Sequence, residues 1–243
     1  MDNKLNVNKV DDIDLVRQRM DSLTDGGLAL QADNENRKTL ELKNQALSQK
    51  KSFGKSYFFC LTEIKAQAVN GYFVTEGEDI PPIAIGLFEI DEESKSYLDS
   101  SEFWESNINN PIKIQFLTDY TDEMMLSLYH LATIHFEKKQ YPDCIQIYTF
   151  LNLMNPEIAS FLMGLGLAYE LNDELGAAME TYEKAMSTEP LKFDPYIGLI
   201  RCSEKLKSFD NITIHLKKAT AIKELEEGAK AALEYLSSLQ KVG

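Results

Sequence analysis

A mainly α-helical chain is predicted, with an array of helical hairpins filling its second half and a small α+β region before it. Three observations carry this. Pro156 and Pro190 stand 34 residues apart, and apolar residues recur in register around both. Leu225, Ala229, Ala232, Leu233, Leu236 and Leu239 trace one face of a last helix, as needed to cover the end of a stacked array. Between Tyr57 and Leu117, short apolar runs and one alternating stretch have the length and period of strands.

The hairpin array is read most directly from Ala159 to Lys192. Leu162, Leu165, Gly166 and Tyr169 occupy a first helix, Ala178, Tyr182 and Ala185 a second, and Pro190 closes the unit. Small Gly166 and Ala178 let two backbones approach, while Tyr169 and Tyr182 fill the space between successive hairpins. Asn172-Asp173 marks the turn, because both residues tolerate a left-handed backbone. These are the positions and spacing of a tetratricopeptide repeat. The window Met125 to Ile158 copies the pattern with Leu128, Leu131, Ala132, Tyr141, Cys144, Tyr148, Leu151 and Pro156, and His135 takes an aromatic position. A degenerate third window from Phe193 keeps Tyr196, Leu199, Phe209, Leu216 and Ala219. Thr121 followed by Asp122 and Glu123 predicts a capped helix start, and Asn155-Pro156-Glu157 and Asp194-Pro195 repeat that logic.

The first half is expected to divide in two. Residues 1–52 read as a polar helical or mobile arm: Ile13, Val16, Met20 and Leu23 share a helical face, Gly26-Gly27 breaks it, and a polar stretch follows. Residues 53–119 read as a small α+β domain. Its strand candidates are the apolar run around Tyr57–Leu61, the run Ile83–Phe88 after Pro81-Pro82, and the alternation Ile112, Ile114, Phe116. Trp104 is expected to pack within it. Residues 120–243 form the repeat domain with its capping helix.

Composition narrows the function classes. A chain that is 44% hydrophobic and 26% charged is that of a folded protein. Its formal net charge of -14 disfavours nucleic acid and anionic membranes, whose phosphates require clustered Lys and Arg. Three dispersed cysteines form no C-x-x-C pair, the start lacks a signal-peptide core, and no apolar run reaches the roughly 18 residues of a membrane span. A cytoplasmic protein without membrane insertion is expected. His130 and His135 do not share a helix face, Gly164-Leu165-Gly166 lacks the rest of a phosphate loop, and no nucleophile elbow is present. No catalytic residue, metal site or cofactor is therefore expected, and the chain is not read as an enzyme.

The run from Tyr141 to Glu157, the Phe-x-x-Gly-Leu-Gly element at Phe161 to Gly166, and the later Pro195-Tyr196 with Arg201-Cys202 resemble the class II chaperones of type III secretion systems, the LcrH/SycD family. The resemblance spans roughly Thr121 to Glu224, and the region before Tyr120 has no counterpart in it. It implies three repeats forming a concave groove in the bacterial cytoplasm, where a hydrophobic translocator or effector is held by a short extended segment before export. In a tetratricopeptide hairpin, positions 2, 5, 9 and 12 of the first helix face that groove. Here they are Leu126, Tyr129, Thr133 and Phe136, then Ser160, Met163, Leu167 and Glu170, then Asp194, Ile197, Arg201 and Glu204. The first two rows lack the Lys, Arg and Asn that clamp an acidic tail, so the expected ligand is a protein or extended peptide with apolar anchors. Tyr129 and Phe136 are candidate anchors, and Met163 can adapt through its flexible thioether. A scaffold or adaptor bridging proteins of a larger complex is the alternative reading. A homodimer is also expected as a possibility, because the Ile13–Leu23 face needs cover.

Overall fold

The computed structural model describes residues 9–69, 88–109 and 112–242, with side chains described over 35–66, 88–108 and 112–239. A long helix α1, Lys9–Val69, is followed by three short ones: α2 at Glu92–Leu98, α3 at Ser101–Asn109 and α4 at Ile114–Leu117. Three hairpins come next. They pair α5 (Asp122–Glu137) with α6 (Tyr141–Met154), α7 (Ala159–Leu171) with α8 (Leu175–Thr188), and α9 (Asp194–Leu206) with α10 (Asp210–Ala219). Helix α11, Glu226–Val242, packs on α10 and ends the array.

The hairpins repeat at the level of the backbone. Each internal turn holds one residue in the left-handed region, Lys139 (φ 58°), Asp173 (φ 63°) and Lys207 (φ 52°), at a constant 34-residue step. Each also closes with the same bond pattern, in which Gln140, Glu174 and Ser208 donate their N–H to the carbonyls of His135, Tyr169 and Ser203 at 2.9, 2.9 and 3.0 Å. That six-residue closure satisfies carbonyls the helix end leaves open. The degenerate third window therefore keeps the turn geometry after losing much of the side-chain pattern.

Start signals are borne out at α5, where Thr121 accepts the N–H of Met124 at 3.3 Å. They shift at the next two hairpins. Asn155 accepts from Glu157 N–H, but this forms a turn, and α7 begins only at Ala159. Helix α9 takes Asp194 and Pro195 into its first turn behind Phe193.

The α+β expectation for the region before the array is corrected: among the described residues there is no strand. Tyr57–Leu61 lies inside α1, and Ile114 and Phe116 belong to α4 rather than to a strand. The stretch 70–87, including most of the Ile83–Phe88 run, lies outside the described residues. Helix α1 also continues through Gly26-Gly27, where a break was expected, and crosses the expected boundary at residue 52.

Helices α1 and α3 contribute to the core of the first hairpin. Phe53 is buried between Trp104 of α3 and Phe150 of α6, at ring-centroid distances of 5.5 and 5.6 Å. Cys60, Ile64, Phe88, Trp104, Leu128 and Leu151 join one buried cluster. Polar ties fix the intervening segment. Tyr120 Oη donates to the Phe88 carbonyl at 2.6 Å, Ile90 N–H donates to Tyr57 Oη at 2.9 Å, and Trp104 Nε1 donates to the Leu98 carbonyl at 2.6 Å. A second cluster, from Ala178 through Tyr182, Leu199 and Leu216 to Leu236, fills the later hairpins. No described helix is long and apolar enough to cross a membrane.

Candidate functional site

The first helices of the three hairpins turn one face toward a common concave channel of about 1070 Å³. Helix α5 supplies Tyr129, Thr133 and Phe136, α7 supplies Ser160, Met163 and Leu167, and α9 supplies Ile197 and Arg201. Nine of the twelve groove positions, Asp194 among them, thus lie on one cavity. Second-helix residues back it: Tyr148 from α6 and Tyr182 and Ala185 from α8 lie buried directly beneath it. Charged residues Glu137, Glu157, Glu189, Lys192 and Asp194 stand around it.

Glycines open this floor. A Cβ at Gly164 would sit 2.5 Å from the Tyr148 ring, and one at Gly166 would sit 2.7 Å from the Tyr182 ring. On the opposite side, a Cβ at Gly198 would meet the Tyr182 ring at 2.5 Å. Tyr182 is consequently clasped between α7 and α9 with no exposed surface. Van der Waals contact this close requires glycine on both sides. Gly166 was expected to let two backbones approach; what it admits is the Tyr182 ring, and Gly164 and Gly198 make room for a tyrosine ring in the same way.

Three candidates stand elsewhere, and the first of them, Glu204 on α9, does not line the channel. Leu126 is half exposed in the first turns of α5 and does not line the channel. Glu170 is corrected from a groove residue to a buried one, 4% exposed. Its carboxylate receives Arg201 Nε at 3.0 Å and Nη2 at 2.8 Å, Tyr182 Oη at 3.0 Å and Lys205 Nζ at 3.3 Å. Burial alone would raise its pKa. The Arg201 hydrogen bonds and charge, with Lys205 and Tyr182, outweigh that and hold it below the ordinary glutamate value. The same bonds raise Arg201 further, so the ion pair stays charged, while burial raises the Tyr182 phenol. Arg201 therefore serves two surfaces: its guanidinium is bound by Glu170, and its remaining surface faces the channel.

The channel is apolar and aromatic along its floor and charged along its rim. Such an arrangement is chemically suited to taking apolar surface out of water while polar main chain stays near the rim groups. Sequence reasoning had placed the first-helix rows but not Tyr148, Gly164, Tyr182 or Ala185. The available signal was a tyrosine sixteen residues from each glycine: Tyr148 before Gly164, and Tyr182 after Gly166 and before Gly198.

Stacked hairpins with a left-handed turn recurring every 34 residues and a concave apolar channel define a helical-hairpin repeat protein. Solved structures similar to the chain include a T3SS complex from Aeromonas hydrophila, 16% identical over 57% of this chain and 97% of that one, with a TM-score of 0.48. The Yersinia enterocolitica type III secretion translocator chaperone SycD is 17% identical over 52% of this chain and 99% of its own, at 0.44. The CopN–Scc3 complex is 16% identical over 74% and 98%, at 0.48. No family model and no curated protein matches the sequence.

Proposed function

We propose that this protein is a cytoplasmic holding chaperone of the type III secretion kind, which keeps an apolar segment of an export substrate in the channel between α5, α7 and α9. The observation that carries the reading is the composition of the channel floor: Tyr129, Phe136, Met163, Leu167 and Ile197 face one cavity. The ligand is an extended segment of a translocator or effector, anchored by a few large apolar side chains. Each fully buried anchor contributes about 1.5–3 kcal/mol. Masking such a segment suppresses its aggregation without covalent chemistry.

Met163 and Ile197 are the sharper probes. Tyr129 also packs on Tyr148 and Phe161, at 5.8 and 6.1 Å, so its replacement disturbs the hairpin itself. Ile197 is 44% exposed and Met163 only partly buried. The Met163→Glu/Ile197→Glu variant is expected to lose partner capture in a pull-down from the native cell while its thermal melt stays within a few degrees of wild type. Its partner is expected to leave the soluble fraction. Undiminished capture by the folded variant, with the partner equally soluble without the protein, would favour a bridging adaptor.

A further inference from the structure

Helix α1 has a second face. Ala46, Phe53, Ser56, Cys60 and Ile64 turn inward and are buried against α3 and α6. Opposite them, Leu40, Leu47 and Phe58 are 59%, 50% and 72% exposed. Their spacings of seven and eleven residues bring all three within about 20° of one line, at roughly 100° per residue. Lys43, Lys51 and Lys55 fall within about 60° of the same line, whereas Glu41 and Glu63 fall about 100° or more away. Between residues 35 and 66 the chain has seven Lys or Arg against three Glu, the reverse of its net charge of -14. Gly54, also near this line, has no atom within 4 Å of where a Cβ would stand, so the stripe carries a notch open to another backbone.

We propose that this strip of α1 docks an acidic amphipathic helix of a protein partner, on a surface separate from the channel. The seven- and eleven-residue spacing is that of a helix–helix seam, one residue wide, which a partner helix covers with its own apolar line. The flanking bases then meet acids on the partner, which sets orientation and speeds encounter. A lipid surface is disfavoured because interfacial helices bury a broad apolar face, and the acidic remainder of the chain repels anionic headgroups. A second copy paired through the same strip brings Lys43, Lys51 and Lys55 against their own kind.

The test uses the full chain and a labelled synthetic helix of about 21 residues, roughly 30 Å long, with Leu at its seam positions and Glu beside them. A matched peptide with Lys in place of Glu is the control. Fluorescence anisotropy is expected to show binding of the Glu peptide at least tenfold tighter than the Lys peptide, weakening as salt rises. Leu47→Ser/Phe58→Ser is expected to cost at least tenfold. Lys51→Glu/Lys55→Glu is expected to reverse the preference between peptides. These side chains are exposed, so melts should match wild type, and capture of the channel ligand should be unchanged. Equal binding of both peptides would overturn the proposal. So would phosphatidylserine vesicle binding lost in the same variants, or a dimer in sedimentation velocity that Phe58→Ser dissolves.

Discussion

Replacing Gly198 by alanine adds one methyl group to the face of α9 that meets Tyr182. On helix propensity alone this change stabilises, by about 0.8–1 kcal/mol, because Gly198 lies inside a helix. Its packing opposes that. The new Cβ would stand 2.5 Å from the Tyr182 ring, so the ring must retreat by about 1 Å to reach ordinary contact. Gly166 closes the other side, where a Cβ would already sit at 2.7 Å. Moving the ring also disturbs the 3.0 Å bond from Tyr182 Oη to Glu170. Overpacking of this kind costs about 1–3 kcal/mol, and the strained hydrogen bond adds about 1. After the propensity gain, a net loss of about 1–3 kcal/mol remains, a fall in Tm of roughly 2–12 °C. Gly54→Ala supplies the comparison: it also lies inside a helix, with open space around it, and is expected to gain about 0.5–1 kcal/mol. Thermal and urea melts of the two variants, followed by circular dichroism, are expected to move in opposite directions. If Gly198→Ala stabilises as Gly54→Ala does, the clasp around Tyr182 does not constrain the fold.

Three further outcomes follow from the same packing. Lys207 sits at φ 52° after α9, so Lys207→Gly is expected to stabilise by about 0.5–1 kcal/mol in urea titrations, and a loss of stability would contradict the turn geometry. Burial pushes the Cys202 thiol up to about 11 and the Cys144 thiol to about 12, and raises Cys60 as well. All three should resist a thiol reagent at pH 8 in the native protein and react fully in urea; one fast native thiol would refute the burial assigned to it. Because the folded-state pKa of Glu170 is depressed, its contribution is complete above the ordinary glutamate value of about 4.3 and disappears as pH falls through the folded value. The stability gap between wild type and Glu170→Gln, about 2 kcal/mol near neutrality, should accordingly shrink below pH ~4; a gap constant to pH 3 would count against the ion pair.

The array was legible because its packing is periodic and local. Ala178, Tyr182 and Ala185 are all fully buried, and the Asn172-Asp173 turn adopts the left-handed residue that its composition allows. The region before it was not, for two physical reasons. Short apolar runs such as Tyr57–Leu61 suit a buried strand and a buried helix equally, and only the partner surface decides. The inward face of α1 includes Ala46, Ser56 and Cys60 beside Phe53 and Ile64, so its helical period is faint to any hydropathy pattern. Glu170 shows a different limit. Its position in the repeat pointed to the channel, yet Arg201, 31 residues away on the next hairpin, draws its carboxylate into the core. Sequence spacing assigns a side chain to a face of a helix, but an ion pair between repeats can override that assignment.

That ion pair also bears on how the channel keeps its shape. Glu170 closes α7, Tyr182 lies in α8, and Arg201 and Lys205 belong to α9, so a single carboxylate ties three helices of two hairpins. Apolar contacts alone tolerate sliding between hairpins, because dispersion is nearly indifferent to small shifts along a helix axis. A two-pronged guanidinium–carboxylate contact is not indifferent, since both bonds lengthen together when α9 moves past α7. The same guanidinium lies at the channel wall, and Gly198, one turn earlier on α9, holds the Tyr182 ring against α7. The spacing between Met163 on α7 and Ile197 on α9 is thus set within the fold, by a buried polar contact and a glycine clasp. On the proposed reading, a channel fixed in that way would lose less conformational entropy on taking up an extended segment, so more of the apolar contact energy would appear as affinity.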